Sequence, residues 1–163
     1  TPGAYDGPGR AKAAAQQPVI AIPPSLQAEH HEIHEALLEA TRVRGQVGAA
    51  AKELAAVLDP HFERENEIAL PPLGLLAPLA SGKTREALSM TDALRKEMPR
   101  MLEEHKRIRA ATEKLRAVAH EEKATAQEQF TARLAAHART EEEILYPAAI
   151  LVGDIIRARM TKK

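Results

Sequence analysis

One chemical phrase occurs twice in this chain and limits what it can fold into. His61-x-x-x-Glu65-x-Glu67-Ile68-x-x-Pro71 returns as His137-x-x-x-Glu141-x-Glu143-Ile144-x-x-Pro147, with every residue displaced by 76 positions (61 to 137, 65 to 141, 71 to 147). Upstream, Glu29-His30-x-x-Ile33 returns as Glu104-His105-x-x-Ile108, displaced by 75 (30 to 105). A two-part pattern repeated at this interval indicates a duplicated helix–helix unit. Residues four apart on an α-helix share a face. Each copy therefore presents an imidazole beside a carboxylate, joined by a second imidazole from the preceding segment, which is a pattern of metal ligands.

At 163 residues the chain suits one domain that buries a core without covalent staples. It has no Cys, so disulfides, thiolate sites and cysteine nucleophiles are excluded and any metal must be held by imidazole and carboxylate. Lys plus Arg and Asp plus Glu both number 23, giving a formal charge of zero and no long-range attraction for a polyphosphate. Nucleic acid is not expected as a partner. No apolar run approaches the roughly 20 residues of a membrane-spanning helix, so no membrane partner is expected and a cytoplasmic protein is. The chain begins without Met, which is compatible with processing or trimming.

Aromatic residues make up only 2% of the chain while Ala, Leu and Glu abound, a composition that favours helices over strands. Residues 1–24 are broken by Pro and Gly and read as an extended or mobile arm; residues 25–163 read as the folded domain. Ser25 is a candidate N-cap for a first helix whose stripe is Leu26, Ile33, Leu37 and Leu38, ending near Gly45. A second helix spans about Val47 to Leu70 and stops at Pro71-Pro72. Pro60 lies inside it, so the helix either kinks there and aims His61 or begins afresh. The stretch from Pro72 to Asp92, with Gly74, Pro78, Ser81 and Gly82, reads as a connection capping one end. A third helix is expected over about Asp92 to His120, a fourth over about Ala124 to Leu145, and a short amphipathic helix over Ile150 to Met160 that packs back after Pro147. The predicted fold is all-α: an antiparallel up-down-up-down four-helix bundle with an N-terminal arm and a short C-terminal helix.

His30, His61, Glu65, His105, His137 and Glu141 place at least one ligand on each long helix, and the duplication brings them together about a pseudo-two-fold axis. His34, one turn after His30, is a seventh candidate, with a supporting hydrogen-bond role as its alternative. Carboxylates and imidazoles buried among aliphatic side chains need a cation to satisfy them. This set exceeds the four ligands of a structural zinc site and points to two metals bridged by Glu65 and Glu141. With five imidazoles and a bridging oxo or hydroxo, one coordination position of two six-coordinate ions stays open; without His34, two do. Iron suits the donors, with manganese and zinc as competitors. An open position beside an apolar wall (Ile33, Leu37, Leu58, Ile108 and Ile144 are candidates) would take a small diatomic or peroxide.

On these motifs, Glu29-His30, His61-Phe-Glu-Arg-Glu65, Glu104-His105 and His137-Ala-Arg-Thr-Glu141, the chain resembles the hemerythrin-like, or HHE cation-binding, family over roughly Leu26 to Pro147. The resemblance implies a non-haem di-iron centre and a role in binding, sensing or transforming dioxygen, nitric oxide or peroxide, or in handling iron. The oxygen carriers of that family have a His-x-x-x-His pair on the third helix; here His105 is followed by Arg109, and the pair is His30/His34 on the first. They also space the last helix's ligands one residue further apart, so Glu142 competes with Glu141 for the bridge; Glu141 is preferred because Glu65 has the same spacing. Both departures argue against simple oxygen transport.

The remaining polar residues have plainer readings. His31 lies about 100° from His30 on the helix and reads as solvated. His120 reads as a partner of a helix terminus. Arg109 reads as exposed, with a bridging carboxylate as the alternative partner, and Glu67, Glu142 and Glu143 as solvated or supporting groups. Tyr146 reads as a packing residue because Leu70 holds its place in the first copy. No His has Glu three residues before it, which disfavours a ferritin-like site. Phosphate-loop and serine-hydrolase motifs are absent.

Overall fold

The computed structural model describes residues 20–79 and 87–162. Its secondary structure is helical, with no strand among the described residues. Four long helices make the bundle: α1 (Pro24–Arg42), α2 (Gln46–Arg64), α4 (Leu88–Glu121) and α5 (Thr125–Thr140). They pack in a closed ring, α1 on α2, α2 on α4, α4 on α5 and α5 on α1. The short α3 (Leu76–Leu79) and the final α6 (Tyr146–Thr161) cover one end. Residues 1–19, most of the expected arm, lie outside the described residues, as do Ser81 and Gly82 of the connection.

Several boundaries differ from the sequence reading. α1 starts at Pro24, ahead of Ser25, because proline suits the first helical turn, where the missing N–H has no intrahelical partner. α2 runs unbroken through Pro60, so no new helix begins there. α4 starts four residues before Asp92 and accommodates Pro99. The last segment is not a separate turn after Pro147, since α6 follows directly from the element before it. Gly153 of α6 lies so close to α4 that an added Cβ would stand 2.1 Å from Thr91 Oγ1. That close approach holds α6 on the bundle.

Both copies of the motif contain a π-helical turn, Glu65–Ala69 and Glu141–Leu145, each beginning at the glutamate four residues after the histidine. The Leu70 amide reaches back five residues to the Glu65 carbonyl, and the Tyr146 amide does the same to Glu141. The proline six residues after each glutamate supplies the cause. It has no N–H, and its ring crowds the carbonyl four residues back, so a wider turn upstream accommodates it. After Pro71 the adjacent Pro72 removes a second donor and the chain tightens into a 3-10 turn, Pro71–Leu75. After Pro147 comes Ala148, and the helix continues.

Polar side chains cross the interior as a layer between two apolar clusters. On one side lie Leu37, Leu54, Leu58, Ile108, Leu115, Phe130 and Leu134; on the other Leu70, Leu73, Leu94, Met101, Tyr146 and Ala149. Between them His30, His61, Glu65, Glu104, His105, His137 and Glu141 are all buried. No described helix is long and apolar enough to cross a membrane.

Candidate metal centre

Six of the seven candidate ligands meet in this layer. His61, Glu65, His105 and Glu141 form one group of converging donor atoms, and His30, His137 and Glu141 form a second that shares Glu141. At the first position His61 Nε2 lies 2.8 Å from His105 Nε2 and 3.1 Å from Glu65 Oε1, while His105 Nε2 lies 3.4 Å from Glu141 Oε2. At the second, Glu141 Oε1 lies 2.7 Å from His137 Nε2 and 3.3 Å from His30 Nε2, and Glu65 Oε2 lies 3.6 Å from His30 Nε2. Each carboxylate therefore turns one oxygen toward each pair of imidazoles. Donors about 2.1 Å from a common cation are separated by roughly 3.0 to 3.4 Å at octahedral to tetrahedral angles; three of the six separations here lie in that interval and the others within about 0.3 Å of it.

The fit does not rest on distance alone. Glu65 Oε2, His30 Nδ1 and both ring nitrogens of His137 are shut from solvent yet make no hydrogen bond. His137 Nε2 and Glu141 Oε1 stand 2.7 Å apart without hydrogen-bond alignment, as two ligands of one ion would. Burying such groups unsatisfied is costly, and a shared cation removes the cost. The buried His and Glu groups could therefore hold metal.

Glu141 has three imidazoles within reach. Burial works against its anion, but the contacts with His105, His137 and His30 outweigh it and hold its carboxyl well below the usual range. Glu65 goes the other way: burial, then the charge of Glu141, pushes its pKa up against the opposing pull of His61. Burial disfavours the His61 cation, yet Glu65, Glu104 and Glu141 together raise its pKa. His137, also buried, is pushed up to about 9 by Glu141 and then Glu29.

The Glu-His dipeptides have a structural role that their sequence alone did not disclose. Glu104 accepts a bond from His61 Nδ1 at 2.8 Å and is itself held by Arg64 at 2.8 Å and Arg100 at 3.2 Å. Glu29, its counterpart in the other copy, lies 3.2 Å from His137 Nδ1. Each dipeptide thus supplies a histidine to one position and sets a carboxylate behind the other histidine there, hydrogen-bonded at His61 but only in contact at His137. A carboxylate behind a ligating imidazole fixes its tautomer and raises its basicity. Glu142 backs His105 Nδ1 at 2.8 Å and also accepts from Arg109, so Arg109 pairs with this supporting carboxylate and not with a bridging one.

Tyr146 packs in the core as the sequence suggests, but its hydroxyl also reaches the polar layer, which the sequence reading did not foresee. Its hydroxyl donates to Glu65 and lies 3.0 Å from His105 Nε2 and 3.2 Å from His61 Nε2. Burial, then the charges of Glu65 and Glu141, hold its proton firmly in place. The partner is in the other copy of the repeat, so no spacing in the sequence signals the contact.

Other candidates lie elsewhere. His34 is half exposed with Nδ1 3.5 Å from Asp59, outside both groups of donors. His31, Glu67 and Glu143 are exposed, and His120 pairs with Glu128 at 3.0 Å. Ile33, Leu37, Leu58 and Ile108 are buried beside the layer, but Ile144 is 58% exposed and forms no part of that wall. Comparison with protein-family models, with curated proteins and with solved structures finds no match. The site is accordingly read from its own donor chemistry.

Proposed function

We propose that this chain is a hemerythrin-like protein whose bundle holds two metal ions, iron in preference to manganese or zinc, and that it binds or transforms a small oxidant such as dioxygen, peroxide or nitric oxide. The observation that carries this reading is the orientation of Glu65 and Glu141, each with one oxygen toward each histidine pair. Four imidazoles and two bridging carboxylates leave room for a bridging oxo or hydroxo and for an exchangeable ligand. Imidazole and carboxylate together suit iron among redox metals.

His30, His61, Glu65, His105, His137 and Glu141 would hold the ions; His34 would join them only by leaving Asp59. Bound iron would supply electrons and an exchangeable coordination position. The chain's own groups do the rest. Tyr146 donates a hydrogen bond to Glu65 and fixes its orientation, Glu29 and Glu104 orient His137 and His61, and the aliphatic layers on both sides keep bulk water out. The alternation of these layers along successive helices supports an antiparallel up-down-up-down arrangement, with residues 25–163 as one domain.

Anaerobic reconstitution with ferrous iron tests the reading: about two irons per chain are expected, with visible ligand-to-metal absorbance on admitting air or peroxide. Uptake of a single ion, or a protein that stays colourless, overturns it. A second reading, a metal-responsive or iron-storing module without turnover, draws on the unsatisfied buried donors, since ion binding would then act chiefly on stability. Sustained peroxide consumption would exclude it.

A further inference from the structure

Superposing the two copies of the repeat residue by residue gives the surroundings of each histidine a counterpart. Shifted by 76, Glu142 corresponds to Asn66; shifted by 75, Arg109 corresponds to His34. Around His105 the pair is fully made, with the carboxylate of Glu142 2.8 Å from Nδ1 and Arg109 on the same carboxylate. Around His30 it is not. Asn66 replaces the carboxylate, His34 turns to Asp59, and His30 Nδ1 has no hydrogen-bond partner although it is buried. The His30 ring is instead stacked on Phe62, with centroids 4.1 Å apart.

The surface outside each half differs in the same sense. A cavity of about 400 Å³ lies against His30, lined by His34, Asp59, Phe62, Glu63 and Asn66. Its acidic groups suit the passage of a divalent cation. The corresponding hollow on the other half, about 370 Å³, does not reach His105 and has the ion pair of Arg109 with Glu142 in its lining. The first position also has the Tyr146 hydroxyl beside its histidines, whereas the equivalent residue of the other copy is Leu70.

We propose that the two positions of the centre are unequal, and that Asn66, standing where the other copy has Glu142, makes the His30–His137 position the labile one, exchanging its divalent cation through the cavity outside it. The inference rests on the dinuclear reading and adds which half exchanges and which residue decides it. Removing a group that backs a metal-bound imidazole weakens metal binding by about 10- to 100-fold. Here His61 and His105 each hold such a carboxylate by a hydrogen bond at 2.8 Å, whereas at the other position His137 has only Glu29, 3.2 Å away and out of hydrogen-bond alignment, and His30 has none.

The test uses the full chain loaded with Co²⁺ and challenged with excess chelator, following the loss of cobalt absorbance. One ion per chain should leave about 10-fold or more faster than the other. Asn66→Asp should slow the fast phase by about 10-fold and leave the slow phase unchanged; Asn66 is exposed, so the fold is not at risk. Glu142→Asn should speed the slow phase. Release of both ions in one phase, or a fast phase indifferent to Asn66→Asp, overturns the proposal while leaving a dinuclear centre intact. Fewer than two cobalt ions per chain at the outset overturns the dinuclear reading itself.

Discussion

Replacing Glu65 or Glu141 by its amide should have opposite effects on the metal-free protein, although either change would remove a proposed metal ligand. Glu141 lies 2.7, 3.3 and 3.4 Å from three imidazoles, and its charge is favoured by the fold. A hydrogen bond to a charged partner contributes ~1.5–3 kcal/mol. His30 makes such a bond, and the close contacts with His137 and His105 add electrostatic attraction, so Glu141→Gln should cost about 3 kcal/mol. At roughly 2–4 °C per kcal/mol for a domain of this size, that is a fall in Tm of about 6–12 °C. For Glu65, burial and the Glu141 charge both disfavour the anion. Glu65→Gln removes a charge the fold opposes and keeps a carbonyl to accept from the Tyr146 hydroxyl. Its metal-free Tm should be unchanged or a few degrees higher. Thermal melts by circular dichroism of chelator-treated protein near pH 7, with metal content measured on reconstituted samples, supply both readouts. Each variant should lose at least one ion. Equal destabilisation by the two changes, or a greater loss from Glu65→Gln, would refute the assignment of charge within the pair.

Tyr146→Phe removes one hydroxyl from a buried, otherwise unchanged ring. It should lower the metal-free Tm by about 2–12 °C, for ~1–3 kcal/mol of unsatisfied bonding; a shift within 1 °C of zero would show that the hydroxyl does not hold Glu65. His34→Ala should leave the metal content intact by elemental analysis, because His34 is half exposed on Asp59, and loss of an ion would place it in the centre. For the metal-free protein, His137 has a folded pKa of about 9 against 6.5 in the unfolded chain. Its ion pairs therefore stabilise fully below 6.5, and the contribution declines as pH rises through 9. Melting between pH 6 and 10 should show a decline that His137→Gln reduces, His61 supplying part of the remainder, and an unchanged slope would contradict the pairing.

Periodicity and duplication made the helical class and the inward-facing residues readable before any coordinates. His61 and Glu65, or His137 and Glu141, share a helical face whatever the detailed packing. What could not be read depends on departures from the α-helix or on the position of a neighbouring helix. On an ideal α-helix Tyr146 points about 140° away from Glu141. The π turn between them changes that direction, the Tyr146 hydroxyl reaches Glu65 of the other copy, and no α-helical pattern encodes that turn. Glu104 adjoins His105 but faces His61, so its role requires knowing where α2 lies. His34 shares a face with His30 yet sits roughly 6 Å farther along the axis, one turn beyond a layer that is only one residue deep on α1. Spacing gives the face of a residue but not its level along the axis.

The polar layer also fixes where this bundle is weakest. Long helices ordinarily loosen from their ends, where amides lack partners and side chains meet water. Here two oily masses flank a mid-length seam in which carboxylates crowd one another and several nitrogens go unanswered. Cations seated in that seam would act as rivets, and their departure would let solvent enter at the waist of the molecule before its tips.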